Sequence, residues 1–129
     1  MNNQARVTLA KIEQENLEGH ETWKTSHLLS VNSNNVKLRA MRKTVAPWHR
    51  HNDSDELFIV QTGTMTMDVR DQTGTVSSYP VAPGQLLVVH RGTEHRARCS
   101  ESVTLIVIDG SRRVVAPRRT LSLGSGHAA

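Results

Sequence analysis

The sequence predicts a single all-β domain, an antiparallel sandwich or barrel, and three observations carry that expectation. Short apolar runs recur along the chain, and several alternate with polar residues at the period of two that a half-buried strand requires. Clusters of Gly, Pro, Asn and Asp separate these runs at short intervals. Only one stretch, near the N-terminus, has helical character. Short strands punctuated in this way suit a closed or double-layered antiparallel architecture.

Taken in order, residues 1–35 form a lead-in. Its segment 9–23 (LAKIEQENLEGHETW) is charged, favours a short helix or turns, and contains Gly19 as a stop. His20 and His27 have no partner at ligand spacing and read as surface or packing histidines. Residues 26–31 (SHLLSV) predict a first strand, and Asn32 to Asn35 a turn. Residues 36–109 hold the barrel. The alternation in 36–45 (VKLRAMRKTV) predicts a long strand with one polar face, and Pro47 a bend at the rim. ELFIV, opened by Glu56, is a strand. In TMTMDVRD, Met65, Met67 and Val69 share a core face, and Thr66, Asp68 and Arg70 the opposite one. A turn at 71–74 leads to a strand at 75–79, PVAPG turns again, and LLVV at 86–89 is a buried strand. RGTE turns into a strand at 95–99, and 102–109 is the last strand. Residues 110–129 form a basic tail, predicted to be mobile.

Composition narrows the class. The chain has 129 residues, enough for one domain with a substantial core. Its lone cysteine, Cys99, excludes an intrachain disulfide and fits a reducing, cytoplasmic setting. No secretory signal or membrane-spanning run is present, so a membrane partner is not expected. The net charge of +4 resides in Arg112, Arg113, Arg118 and Arg119; without these four of the 16 basic residues, the body balances its 12 acidic ones. The few aromatics provide no stacking platform, and nucleic acid is not an expected partner.

The chemistry concentrates in WHRHNDSDELFIVQTG, residues 48–63. In an extended segment His49 and His51 point the same way, and Glu56 opens the adjoining strand. Two imidazoles and a carboxylate make an incomplete transition-metal site, and His95 is the candidate fourth ligand. Asp55 is the alternative carboxylate. His90 reads either as a turn histidine or as a catalytic general acid or base at the mouth. Cys99 reads as packing, or else as a reactive thiol or a thiolate ligand, and Trp48 as a partner contact or the cover of an outer sheet face. Met65, Met67, Val69, Ala97 and Cys99 form an expected apolar pocket wall. No inward cation is evident, although Arg42 is a candidate.

The spacing H-x-H-x4-E-x6-G, written by His49, His51, Glu56 and Gly63, resembles the first motif of the cupin superfamily. Gly84, Gly92 and His95 match the second, G-x5-P-x-G-x2-H-x3-N, with His90 in place of proline and Cys99 in place of asparagine. Lys43 stands where a glycine often precedes the first motif. The likeness is to small single-domain cupins of the conserved-barrel, mannose-6-phosphate-isomerase-like kind. It implies a jelly-roll β-barrel with one divalent ion (Mn, Fe, Ni, Zn or Cu) on His49, His51, Glu56 and His95. Combined with an apolar outer face, where Leu57 and Ile59 lie opposite Glu56, it also implies a homodimer. Two function classes follow. One is a metal-dependent enzyme, dioxygenase-like or a sugar or sugar-phosphate isomerase, acting on a small molecule in the barrel. The other is a non-catalytic small-ligand binding or sensor module.

Overall fold

The computed structural model describes residues 5–13 and 17–110. The expectations for the basic tail after Gly110 therefore lie outside the described residues. Seven strands follow one another: β1 (Trp23–Val31), β2 (Asn34–Val45), β3 (Glu56–Gly63), β4 (Met65–Arg70), β5 (Val76–Val81), β6 (Leu86–Val89) and β7 (Glu94–Gly110). All pairings are antiparallel, in the order β1-β2-β7-β3-β6, with β4 joining β7 to β5.

β7 is the axis of this arrangement. The sequence predicts two strands separated near Ser100, whereas the structure has one strand of 17 residues. Its first part pairs with β4 and its second part with both β2 and β3. The polar residues that suggest a break are accommodated by a bulge. Arg42 pairs with Ser102 and Thr44 with Cys99, so Lys43 alone spans Ser100 and Glu101. Lys43 adopts φ 45°, the left-handed region where glycine is at ease, at the position where the cupin motif often has glycine.

Inward residues of β7 (Ala97, Cys99, Val103, Leu105, Val107) pack with Met41, Phe58, Val60, Met65, Met67, Val81 and Val89 into one core. The predicted Met face of β4 is thus core, with Met65 and Met67 fully buried. The expected turn at Pro80 is instead the end of β5, which continues to Val81. Among the described residues β5 pairs only with β4, so Pro80 lies on an edge strand, where proline is tolerated.

The expected N-terminal helix is absent among the described residues. A turn closes over residues 18–21, with the Glu21 N–H donating to the Glu18 carbonyl at 3.0 Å, and β1 begins at Trp23. A helix there would have to bury an apolar stripe, yet Leu9 is 93% and Ile12 56% exposed.

Asp68, assigned by parity to the polar face of β4, is 1% exposed. It accepts from Ser78 Oγ at 2.7 Å and from Arg96 Nε and Arg98 Nε at 2.9 Å each. Trp48 covers the same outer face, with the Arg70 and Arg96 guanidinium carbons 4.1 and 4.6 Å from its ring centroid. Burial raises the Asp68 pKa, but the arginines and Ser78 outweigh it and hold the carboxyl at about 2, against 3.8. A depressed carboxyl contributes stability above its unfolded pKa and loses it as pH falls through the folded one. Asp68 should thus contribute roughly 1–2 kcal/mol near neutrality, after allowance for screening at the half-exposed arginines. That contribution should fade between about pH 4 and pH 2. Urea titrations of wild type and Asp68→Asn should differ at pH 7 and converge at pH 2; a constant difference would refute the assignment.

Candidate metal centre

The site lies where the irregular segment 46–55 crosses the start of β7. The sequence suggests a strand for His49 and His51, but the segment forms no continuous strand and meets β7 through an isolated bridge, His49 with His95. At that point the His49 N–H donates to the His95 carbonyl at 3.0 Å, and the His95 N–H to the His49 carbonyl at 2.9 Å. Antiparallel partners face the same side, so this bridge aims both rings inward. The Gly92 N–H donates to the His51 carbonyl at 2.7 Å and pins the next turn. Glu56 enters from β3, where it pairs with both Val89 and Asp109.

These elements bring His49, His51, Glu56 and His95 together, with one potential ligand atom from each, all within 4.8 Å of one another. Ring centroids are 4.3 Å apart for His49–His95, 5.1 Å for His49–His51 and 5.9 Å for His51–His95. Glu56 and His95 are 1% exposed. Glu56 Oε1 lies 3.1 Å from His95 Nε2 and 3.4 Å from His51 Nε2. Backbone carbonyls fix the far sides of two rings: His49 Nδ1 is 3.1 Å from the Pro47 oxygen, and His95 Nδ1 is 2.9 Å from the Thr93 oxygen. Each such contact has Nδ1–H donating to a carbonyl, so a neutral ring in this tautomer would offer its Nε2 lone pair to an ion in the cluster.

The donor set fits a divalent transition metal. Three buried atoms, His49 Nε2, His51 Nε2 and Glu56 Oε2, have no hydrogen-bond partner. Buried polar atoms are almost always satisfied, and an ion among them would satisfy all three. Burial holds the His49 imidazole at about 4, so it is neutral at pH 7. Burial also raises the Glu56 pKa, but His51 and His95 outweigh it and hold the carboxyl at about 2. The same carboxylate raises the pKa of His51.

Other sequence candidates lie apart from the cluster. His90 is 76% exposed, with Nδ1 3.4 Å from Asp55 Oδ2. Asp55 accepts from the Arg91 N–H at 2.9 Å, which ties the turn before β7 to the start of β3. Cys99 is packed in the core. Arg42 points to the N-terminal turn and donates Nη2 to the Gly19 and Glu21 carbonyls at 2.9 and 2.7 Å.

The interior is more charged than the sequence suggests, and here the expectation of no inward cation is corrected. On β2, Lys37, Arg39 and Met41 pair with Val107, Leu105 and Val103, all inward core residues. Lys37 Nζ contacts Asp109 Oδ2 at 2.9 Å, and Arg39 is 2% exposed. The signal was present in the alternation of 36–45, but its polar face is the one that turns inward. A hollow of about 400 Å³, lined by His51, Ser54, Asp109 and Gly110 among others, opens beside the cluster.

Comparison with known proteins agrees with this construction. Over 90 residues the chain is 36% identical to the uncharacterized protein YdbB of Bacillus subtilis, covering 70% of this chain and 73% of that one. A cupin-2 domain protein from Shewanella frigidimarina superposes with a TM-score of 0.62 at 27% identity, covering 71% and 84% of the two chains. KdgF from Halomonas sp. gives 0.62 at 18% identity, covering 77% and 90%, a likeness of fold. The Cupin domain pattern matches residues 39–115, which include every member of the His–His–Glu–His cluster, and the chain therefore belongs to the cupin family.

Proposed function

We propose that this protein is a metal-dependent enzyme, dioxygenase-like in its chemistry, that acts on a small chelating organic molecule inside the barrel. The observation that carries this reading is the convergence of potential ligand atoms from four side chains, three of which carry a buried polar atom without a hydrogen-bond partner. His49, His51, Glu56 and His95 would hold one ion. Three neutral imidazoles and one carboxylate leave a divalent ion with net positive charge and coordination positions for an oxyanion, and iron(II) would add dioxygen binding.

The chain's own groups shape what can enter. The carbonyls of Pro47 and Thr93 hold two imidazoles in the ligating tautomer. Met65, Met67, Ala97 and Cys99 belong to the apolar core, and Phe58 of the same core sets its ring 6.3 Å from that of His95. The hollow beside His51 gives a ligand its approach.

The test is oxygen uptake by iron(II)-loaded protein with diketones, catechols and hydroxy acids. Uptake with one class is the expected result. No uptake with any, together with turnover of a sugar phosphate by the manganese or zinc form, would favour an isomerase instead. Ligand binding without turnover would favour a sensor module.

The homodimer is part of the same proposal. Leu57, Ile59 and Ile108 are half-buried on the outer face, next to Leu86 at 62% and Val88 at 44% exposure. A second copy would cover this row by two-fold symmetry. Sedimentation at micromolar concentration should give twice the mass of one chain, and a monomer would refute it.

A further inference from the structure

We propose that Arg39 selects the ligand: it receives the second acidic group of a small dianion whose first acidic group sits on the metal. The proposal rests on the metal-centre reading above and names the class of molecule that the centre takes.

Arg39 is an unusual residue to find inside a barrel. It is 2% exposed, on the inward face of β2 beside the core residue Met41. Its Nε donates to Thr25 Oγ1 at 3.0 Å, and its guanidinium carbon lies 4.5 Å from the Trp23 ring centroid. These contacts from β1 fix the plane and direction of the guanidinium. Among the described residues no carboxylate pairs with it directly; Glu56 and Asp109 act on it only at longer range. Burial lowers its pKa to about 10, so it remains charged at neutral pH. Its neighbour Lys37 already has a partner in Asp109 at 2.9 Å. A buried cation held rigidly without a carboxylate of its own is costly for a purely structural part.

The charge count points the same way. Lys37 and Asp109 cancel as an ion pair, which leaves the Glu56 carboxylate against the Arg39 guanidinium among the inward charged groups. A divalent ion leaves two positive charges in a space of low dielectric. A ligand with two negative charges restores balance, with one group on the ion and the other drawn toward Arg39, the cation not committed to a carboxylate. The planar fork of Arg39 suits a carboxylate.

The experiment uses zinc-loaded full-length protein, so that no redox step is involved. Calorimetry compares malonate, succinate and glutarate with propionate, butyrate and valerate, in wild type, Arg39→Gln and Arg39→Lys. In wild type at least one dicarboxylate should bind roughly 10–100-fold more tightly than the monocarboxylate of equal length, the range for a charged hydrogen bond. Arg39→Gln should erase that preference while leaving zinc content and monocarboxylate affinity unchanged, and Arg39→Lys should retain part of it. Trp23 gives a second readout in unmutated Arg39 protein. In a Trp48→Phe background its fluorescence should respond to the preferred dicarboxylate and not to the monocarboxylate. Zinc-replete wild type with no dianion preference overturns the proposal, as does a preference that survives in Arg39→Gln. Wild type that holds no zinc overturns the metal centre itself, and elemental analysis of the same samples distinguishes the two failures. Should Arg39→Gln fail to fold, the wild-type comparison and the Trp23 response still decide.

Discussion

In His51→Ala, bound divalent metal should fall from about one ion per chain to a small fraction of that after dialysis. The loss should exceed the roughly 10–100-fold that follows removal of a mere supporting partner of a ligand, because a donor atom itself is gone. His51 is a clean choice because its side chain is 34% exposed, so its removal leaves the core packed. His95→Ala should lose metal equally but also destabilise the fold, since that ring is buried against Phe58 and Glu56. Elemental analysis beside thermal melts separates the two effects, and stoichiometric metal in a triple-alanine variant of the three histidines would end the metal-centre reading. The pH dependence has a definite sign. His49 is neutral well below pH 7, whereas Glu56 raises the pKa of His51 above 6.5. Metal must displace that His51 proton, so affinity should weaken as pH falls through the His51 pKa, with proton release on binding.

Gly63→Ala should cost about 3 kcal/mol or more in folding stability, which for one methyl group is a large effect. A Cβ at Gly63 would stand 1.9 Å from the Ser102 carbonyl oxygen, 2.9 Å from its carbon and 3.0 Å from Val103 Cα. All three are backbone atoms of β7 and cannot rotate aside. The residue also sits at φ +76°, which disfavours any side chain. Gly74→Ala is the control. It has a similar φ of +90° but no heavy atom within 4 Å, so only the conformational cost of roughly 1–2 kcal/mol should remain. Urea unfolding of the two variants measures the difference, and equal losses would show that the close approach to β7 is not what requires glycine there.

Much of the barrel was legible because period-two alternation marks strands whose faces differ, as in β4. The four clustered residues were legible for a different reason: their types and gaps follow a motif. The misreadings share a physical cause, the assumption that a polar residue faces water. Lys37 and Arg39 face inward because the interior near Glu56 is itself charged. Asp68 is buried on an outer face because Arg96, Arg98 and Trp48 roof it over. Neither arrangement can be read from one strand alone, since each depends on a partner strand distant in sequence. β7 was divided for a related reason. Ser100 and Glu101 look like a turn, but a bulge opposite Lys43 absorbs them and the strand continues. The N-terminal helix failed on burial: its charge pattern suits a helix, but the structure offers its apolar residues no surface to cover.

The length of β7 has a consequence for the order of events in folding. His95 stands near one end of this strand, and Asp109, paired with Glu56, near the other, with pairings to β2, β3 and β4 between them. None of these pairings is local in sequence, so the ligand cluster can assemble only when β7 docks. An ion then has no preformed site in the unfolded chain and acts on the native state alone. At one hundred times its dissociation constant it would deepen the native state by about 2.7 kcal/mol. An interaction that needs the completed cluster is absent from a transition state in which β7 has not docked, so for such a transition state nearly all of that should appear as slower unfolding, with the refolding rate almost unchanged. Metal would then serve this barrel less as a folding nucleus than as a latch.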